Sequence, residues 1–162
     1  MVMRKRSSYR PRPMLRDPMG YVVESLTPMP AHGSALVDLR LRNHSALSTL
    51  KRGEADFQVM DDLGAAANIC EVLCREGFGV DYRLEIAVGL DALKAVNARG
   101  SGTGRFVLRA QEIDAINEMM AVHDAQLEVA TVRDMERAIL AVRDELLLEK
   151  HAAPVVAKEK VK

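Results

Sequence analysis

The sequence predicts an all-α protein, a bundle of about five amphipathic helices with an extended basic N-terminal arm. Aromatic residues make up 4% of the 162 residues and Trp is absent, so the core must be built from aliphatic side chains and Met. Strands favour aromatic and β-branched residues, so this composition suits packed helices better. Apolar residues also recur at intervals of three and four, the helical period. We expect the arm at residues 1–33, the helical bundle at 34–150 and a disordered tail at 151–162.

Residues 1–33 are predicted to be extended or irregular because prolines recur through them. Proline has no backbone donor, and it pushes the residue before it away from the α region. The prolines of this segment are Pro11, Pro13, Pro18, Pro28 and Pro30. The apolar run Tyr21–Val23 could dock on the bundle, either as one extended contact or as a short helical turn through Leu26.

The first two helices are predicted at residues 34–52 and 54–76. Ser34 is a candidate N-cap for the first, and Gly53 suits its C-terminal end. Gly77 followed by Phe78 predicts a left-handed cap on the second helix, with an apolar residue folding back on the last turn. The apolar stripes of the two helices are Leu36, Leu39, Leu47 and Leu50, widened by Val37, Leu41 and Ala46, and then Phe57, Met60, Leu63, Ala67, Cys70, Leu73 and Cys74.

Three further helices are predicted at residues 81–100, 110–127 and 131–150. Asp81 is a candidate N-cap for the first, and Thr131 with Asp134 forms an N-cap pattern for the last. The turn between the first two contains residues 101–104, and Phe106–Leu108 is expected to be extended. The predicted inward residues include Tyr82, Ile86, Leu90, Leu93, Val96, Ile113, Ile116, Met119, Met120, His123, Leu127, Met135, Ile139, Val142 and Leu146.

Charge is distributed unevenly along a chain that is neutral overall, with 23 basic and 23 acidic residues. The first sixteen residues carry six cations and no acidic residue. Residues 150–162 contain four Lys and one Glu. Residues 17–149 therefore hold 13 cations and 22 acids, a net charge of −9. A cationic arm on an acidic body indicates that the arm meets a polyanion or an acidic surface.

Nucleic acid is the first partner that this arm predicts. Guanidinium groups on an open chain can follow phosphates, and Tyr9 could stack on a base. The predicted nucleic-acid-binding residues are Arg4, Lys5, Arg6, Tyr9, Arg10, Arg12 and Arg16. Two alternatives stay open: the arm contacts a partner protein or another subunit of a homo-oligomer, or it is a solubilising terminus. The body has only a modest basic cluster, at Arg40, Arg42, Lys51 and Arg52.

Cys70 and Cys74 lie four residues apart and therefore share one face of the predicted helix. A zinc site would need further ligands, and Cys-x2-Cys is the commoner spacing. Both positions fall in the apolar stripe, so we expect buried, reduced thiols and no metal. A disulfide within one helical turn has poor geometry.

The remaining candidates for chemistry do not predict an enzyme, and we assign no catalytic residue and no cofactor. Adjacent helical residues such as His123 and Asp124 point in different directions, so they make a poor acid–base pair. We expect His44 and His123 to lie at the edge of the core. The loop Gly100–Arg105 lacks the Lys-Ser/Thr and the preceding strand of a phosphate-binding loop.

No run of about 18 apolar residues exists, so no membrane span is expected. Prolines interrupt the basic N-terminus and no apolar segment follows, so it does not resemble a secretory signal. Together with the reduced thiols, this predicts a cytoplasmic protein.

Three segments resemble a loose group of small uncharacterised proteins of tailed phages and prophages: KRSSYRPRPMLRDPMGYV, DLRLRNHSALSTLKRGEAD and FVLRAQEIDAINEMMAVHDAQLEVATVRDMERAI. The resemblance implies a phage origin and a setting in the host cytoplasm, and it transfers no catalytic residue. The sequence thus predicts a non-enzymatic protein that binds a macromolecule, with nucleic acid as the leading partner. The alternative is a protein-directed module that uses acidic helix faces, either an inhibitor of a host or defence protein or an assembly factor.

Overall fold

A computed structural model describes residues 17–152, and in this part of the chain it contains six α-helices and no strand. The all-α prediction is confirmed. The helices are α1 (Pro18–Ser25), α2 (Gly33–Lys51), α3 (Phe57–Arg75), α4 (Arg83–Gly100), α5 (Ala110–Val129) and α6 (Val132–Ala152). Two 3-10 turns, Met29–His32 and Val80–Tyr82, precede α2 and α4.

The expectation of an extended chain is wrong for residues 18–25, which form α1. The Asp17 carboxylate caps this helix by accepting a hydrogen bond from Gly20 N at 2.9 Å. Pro18 occupies the first helical turn, where a missing N–H costs nothing. Of the two arrangements left open for Tyr21–Val23, the helical one is therefore observed. Residues 1–16, the rest of the predicted arm, lie outside the described residues, as does the predicted tail from residue 153.

The segment after α1 is attached to the body through backbone hydrogen bonds. Met29 N donates to Ala130 O at 2.9 Å, and Val132 N donates to Thr27 O at 3.1 Å. Pro28 and Thr131 form an isolated antiparallel bridge. The buried Met29 side chain joins an apolar cluster that includes Met135. Residues 27–29 therefore pack against the start of α6.

The helix ends show which sequence signals were read correctly. Gly77 adopts a φ of +110°, and Phe78 N donates to Leu73 O at 2.9 Å, which is the predicted left-handed cap. Thr131 and Asp134 also exchange the predicted capping bonds, with Asp134 Oδ2 accepting from Thr131 N at 2.9 Å.

Two predicted N-caps are wrong. The residue before α2 is His32 rather than Ser34, and the residue before α4 is Tyr82 rather than Asp81. In both cases a 3-10 turn leads directly into the helix, so neither helix has a side-chain cap at its start.

The core is organised around α3, which packs against α2, α4, α5 and α6. The α4–α5 pair approaches closely at Gly89, because a Cβ there would collide with Met119. Phe106, in the extended connection before α5, is 1% exposed and makes an edge-to-face contact with Phe57 at 5.2 Å between ring centroids. The deeply buried side chains include Leu50, Leu63, Ala67, Cys70, Leu73, Ile86, Val96, Phe106, Ile116, Met119, Met120 and Leu127.

Some residues that were predicted to face inward are exposed. Tyr82 lies in the 3-10 turn before α4 and is 53% exposed. Met135 and Val142 of α6 are buried, whereas Ile139 and Leu146 are 50% and 45% exposed. Because α6 packs mainly on α3, only a narrow stripe of its apolar residues is covered.

We expect Leu63→Asp to destabilise the protein by several kcal/mol, because it would bury an unpaired carboxylate at a position that is 0% exposed. Leu41→Asp is the matched control on α2, since Leu41 is 66% exposed and its substitution should be nearly neutral. Thermal unfolding followed by circular dichroism measures both. Equal effects of the two substitutions would contradict the packing described above.

Candidate functional site

The predicted nucleic-acid-binding residues all lie in residues 1–16, outside the described part of the chain. The described body also carries cations that could bind a polyanion. Most of these cations are neutralised by ion pairs. Arg40 pairs with Glu128 at 2.6 Å, and Arg99 with Glu112 at 2.6 Å. The other ion-paired cations are Arg42, Arg52, Arg75, Lys94, Arg137 and Arg143.

The side chains of the modest basic cluster on α2 also contact polar or acidic side chains of the body. Arg42 lies near Asp62, Arg52 lies near Glu54, and Lys51 Nζ donates to Asn117 Oδ1 at 2.6 Å. The described arginines without an ion pair are Arg83 in α4, Arg105 and Arg109 in the connection before α5, and Arg133 in α6. These four arginines do not form a run along any one helix of residues 17–148.

His44 and Asp124 form a polar pair between α2 and α5. His44 Nε2 donates to Asp124 Oδ2 at 2.7 Å, since a carboxylate can only accept. Arg40, one turn earlier on α2, donates to the Asp124 carbonyl at 2.7 Å and reaches Glu128. His44 is 49% exposed in its side chain, so it lies at the surface rather than at the edge of the core.

Asp124 follows His123 in the sequence, but its side chain pairs with His44 from another helix. A usable signal was present in the sequence. Arg40 and His44 are four apart on α2, and Asp124 and Glu128 are four apart on α5. The two basic side chains lie on one face of α2 and the two acidic side chains lie on one face of α5, so the two faces can meet across a helix interface.

A small groove of about 230 Å³ runs from this pair to Lys51. Its floor is formed by Leu47 and Met120, and Ser48 lies along its α2 wall. In a nucleophilic triad, the serine hydroxyl would be hydrogen-bonded to the imidazole. The Ser48 hydroxyl instead accepts a hydrogen bond from Arg52 at 2.9 Å. The contacts of Arg40 and His44 with Asp124 and Glu128 therefore connect α2 with α5, and we call this group the polar brace.

His123 is buried, 1% exposed, and its Nδ1 lies 3.4 Å from Gln126 Oε1. Burial lowers the pKa of His123, because the charged imidazolium loses its hydration. Gln126 in turn donates to the carbonyls of Cys70 and Phe78 at 3.0 and 2.9 Å. The buried polar groups of α5 therefore connect it to α3 and to the cap that follows α3.

Cys70 and Cys74 are free and buried, as the position of both in the apolar stripe predicts. Burial raises the pKa of Cys70 to about 12, so this thiol stays protonated at neutral pH. Cys74 Sγ approaches Gly79 O at 3.6 Å. Among the described residues, no group of three or more His, Cys, Asp or Glu side chains is placed to hold a metal ion.

The larger concave feature, which we call the α3 groove, was missed in the sequence. It lies between α4 and α6, has α3 as its floor, and occupies about 620 Å³. A second depression of about 400 Å³ continues it past Glu71, Leu90 and Lys94. The lining residues are Met60, Asp61, Gly64, Ala65, Ala67, Asn68, Glu71, Leu90, Leu93, Lys94, Asn97, Val142, Glu145 and Leu146. The small residues from Gly64 to Ala67 were its signal in the sequence.

No protein-family model matches this chain, and comparisons with curated proteins and with solved structures gave no significant match. In the described part of the chain, every helix is too short or too polar to cross a membrane.

We expect Cys70→Ala with Cys74→Ala to reduce stability by about 1 kcal/mol per site, because each substitution opens a small cavity. Zinc content, measured by elemental analysis of the purified protein, should be negligible before and after the change. Stoichiometric zinc in the wild type that disappears in the double variant would overturn the packing role.

The buried His123 should make the protein less stable in mild acid. Because its pKa is lowered on folding, the unfolded chain binds the proton more readily. The stabilisation is complete above the ordinary His pKa of about 6.5 and is lost as the pH falls below it, by at most about 1.4 kcal/mol per pH unit.

Urea unfolding at several pH values measures this loss of stability. In His123→Gln the free energy of unfolding should depend less on pH. An NMR titration of the His123 ring provides an independent check. A ring that titrates at or above about pH 6.5 in the folded protein would contradict the expectation.

Proposed function

We propose that this protein is a non-enzymatic macromolecule-binding protein that contacts nucleic acid through Arg4, Lys5, Arg6, Tyr9, Arg10, Arg12 and Arg16. The observation that carries the proposal is the separation of charge. Residues 1–16 of the arm have six cations and no acid, whereas most cations of the described body are held in ion pairs. Residues 1–16 therefore carry more cations than any other stretch of the sequence that contains no acid.

The chemistry of the arm suits an unstacked or single-stranded nucleic acid. Its guanidinium groups bind phosphates in any sequence, and Tyr9 offers an aromatic surface for a base. Pro11 and Pro13 favour an extended backbone that can follow a strand. The arm leads into α1, which is tied to α6 through the hydrogen bond from Tyr21 to Glu136.

The acidic body limits how the nucleic acid is held. Residues 17–149 carry a net charge of −9, so phosphates are repelled from the bundle and contacts stay within the arm. This predicts a modest affinity that depends strongly on salt. The phage origin and the action in the host cytoplasm are part of the proposal and rest on the resemblance of three segments to phage proteins.

The second candidate is a protein-directed module, and the acidic surface of the body favours it. Asp61, Glu71, Asp114 and Glu118 are exposed and form no ion pair with another described side chain. Such surfaces fit a basic groove on a partner protein. Pull-down from a lysate with and without nuclease distinguishes the candidates, because only a nucleic-acid partner is lost on digestion.

Deleting residues 1–16 should weaken binding to DNA and RNA and leave the fold intact, because the helices of residues 17–152 pack on one another around α3. Fluorescence anisotropy with labelled oligonucleotides measures the affinity, and circular dichroism checks the fold. Arg105→Gln with Arg133→Gln is the matched control, since both arginines are exposed and have no ion pair in the body. The control should bind like the wild type.

The salt dependence of the binding affinity tests the number of phosphate contacts that the arm makes. Six arm cations limit the logarithmic slope on duplex DNA to about −5. Tyr9→Ala should weaken single-strand binding by about 1–3 kcal/mol and affect duplex binding less. Equal binding by the full and shortened chains, or no binding by either at low salt, would favour the protein-directed candidate.

A further inference from the structure

Four apolar side chains of α1 and its C-terminal end form a stripe that faces away from the bundle, which we call the α1 stripe. They lie at the spacing i, i+3, i+4 and i+7, which places them on one face of a helix. They are Met19, Val22, Val23 and Leu26, and their exposed fractions are 72%, 44%, 66% and 52%. Ser25, on the side of α1 that meets the body, is 5% exposed. A stripe with this spacing normally packs on a core, but here the described residues leave most of it uncovered.

The apolar surface continues from α1 onto α6, because the two helices lie side by side in opposite directions. Val132 N, at the start of α6, donates to Thr27 O, just after α1, at 3.1 Å. Tyr21, earlier in α1, donates from its hydroxyl to Glu136, later in α6, at 3.2 Å. Leu140 follows Glu136 by one turn on the same face of α6 and is 47% exposed. The exposed surface therefore includes apolar residues of both helices.

The number of side chains distinguishes the α1 stripe from the exposed apolar residues of α2 and α4. On α2 these are the pair Val37 and Leu41, and on α4 the pair Leu84 and Val88. Isolated exposed apolar residues are common on the surface of a monomer, whereas a contiguous apolar patch marks an interaction site. The α1 stripe therefore has the properties of a docking surface.

The α1 stripe is complementary to a second copy of itself. When two such helices cross in opposite directions about a twofold axis, Met19 of one chain lies opposite Leu26 of the other, and Val22 lies opposite Val23. The long side chains then meet at the two ends, and the short β-branched ones meet at the centre, where the helices come closest. Glu24 lies on another side of α1, so the contact brings no like charges together.

We propose that two copies of this protein associate through the α1 stripe, with Leu140 of α6 at the edge of the contact. An apolar surface without charged residues is typical of the centre of a homodimer interface. These five partly exposed side chains cover less than the about 800 Å² that each partner buries in a standard interface. We therefore expect a reversible dimer with a Kd in the micromolar range. This proposal does not depend on nucleic-acid binding by the arm.

The test is sedimentation velocity of the full chain, without nucleic acid, at concentrations from about 1 to about 500 μM. We expect the wild type to shift from monomer to dimer as its concentration rises. Val23→Glu should remain monomeric throughout, because it places an unpaired carboxylate at the centre of the contact. Leu84→Glu is the matched control, since Leu84 is 73% exposed on α4, and it should dimerise like the wild type. Circular dichroism checks that both variants are folded.

Mixing two variants tests the pairing of Val22 with Val23. Val23→Glu and Val22→Lys should each be monomeric alone, whereas their mixture should form a heterodimer. The reason is that the introduced carboxylate of one chain lies opposite the introduced ammonium group of the other. Deleting residues 1–16 should leave dimerisation of the wild-type stripe unchanged, since the contact lies on α1 and α6.

Four results would overturn the proposal. These are a wild type that stays monomeric, a dimer that persists in Val23→Glu, a mixture that forms no heterodimer, and loss of the dimer on deleting residues 1–16. The last result would assign the contact to the arm. A monomeric wild type that co-sediments with vesicles of phosphatidylglycerol would also overturn it, because the α1 stripe would then lie on a lipid surface.

Discussion

The packing of α3 on four neighbouring helices is the constraint on which the rest of the structure depends. Leu63, Ala67, Cys70 and Leu73 recur at the helical period and are each 0% exposed, so one face of this helix is completely enclosed. Enclosure requires small and aliphatic side chains where neighbouring helices come close, and α3 contains a run of them. The one open sector of α3 is the floor of the groove between α4 and α6.

Polar contacts connect neighbouring helices at the outer surface of the bundle. The Arg40, His44, Asp124 and Glu128 group connects α2 with α5, and Arg137 connects α6 with the end of α3. Exposed pairs of this kind contribute little stability each, about 0–1 kcal/mol. Their larger effect is to neutralise most cations of the body, whereas residues 1–16 carry six cations and no acid.

The folded body and the arm therefore have separate physical roles. The body combines an aliphatic core with an acidic surface, and α1, which follows residues 1–16 in the chain, packs on α6. An arm of this kind binds through charge and stacking, which need little preformed structure. The α3 groove offers a different kind of surface, with apolar walls and an acidic rim, and it lies on the side of α3 that no described helix covers.

Local signals in the sequence were sufficient to predict features that depend on a single helix. The 3.6-residue period located α2 to α6, and the glycine cap at Gly77 and the Thr131–Asp134 cap were read correctly, because each involves neighbouring residues. The charge separation also follows from the sequence alone. Short-range signals were misleading at Pro18, which starts a helix rather than preventing one.

Contacts between distant segments were decided by the tertiary structure. The pairing of His44 with Asp124 spans 80 residues, and the exposure of Leu146 depends on the absence of a described helix beside it. A helical period gives the direction of a side chain around its own axis but not which helix, if any, lies opposite. For that reason the sequence predicted the bundle and the arm, whereas the polar brace and the α3 groove became visible only in the packed molecule.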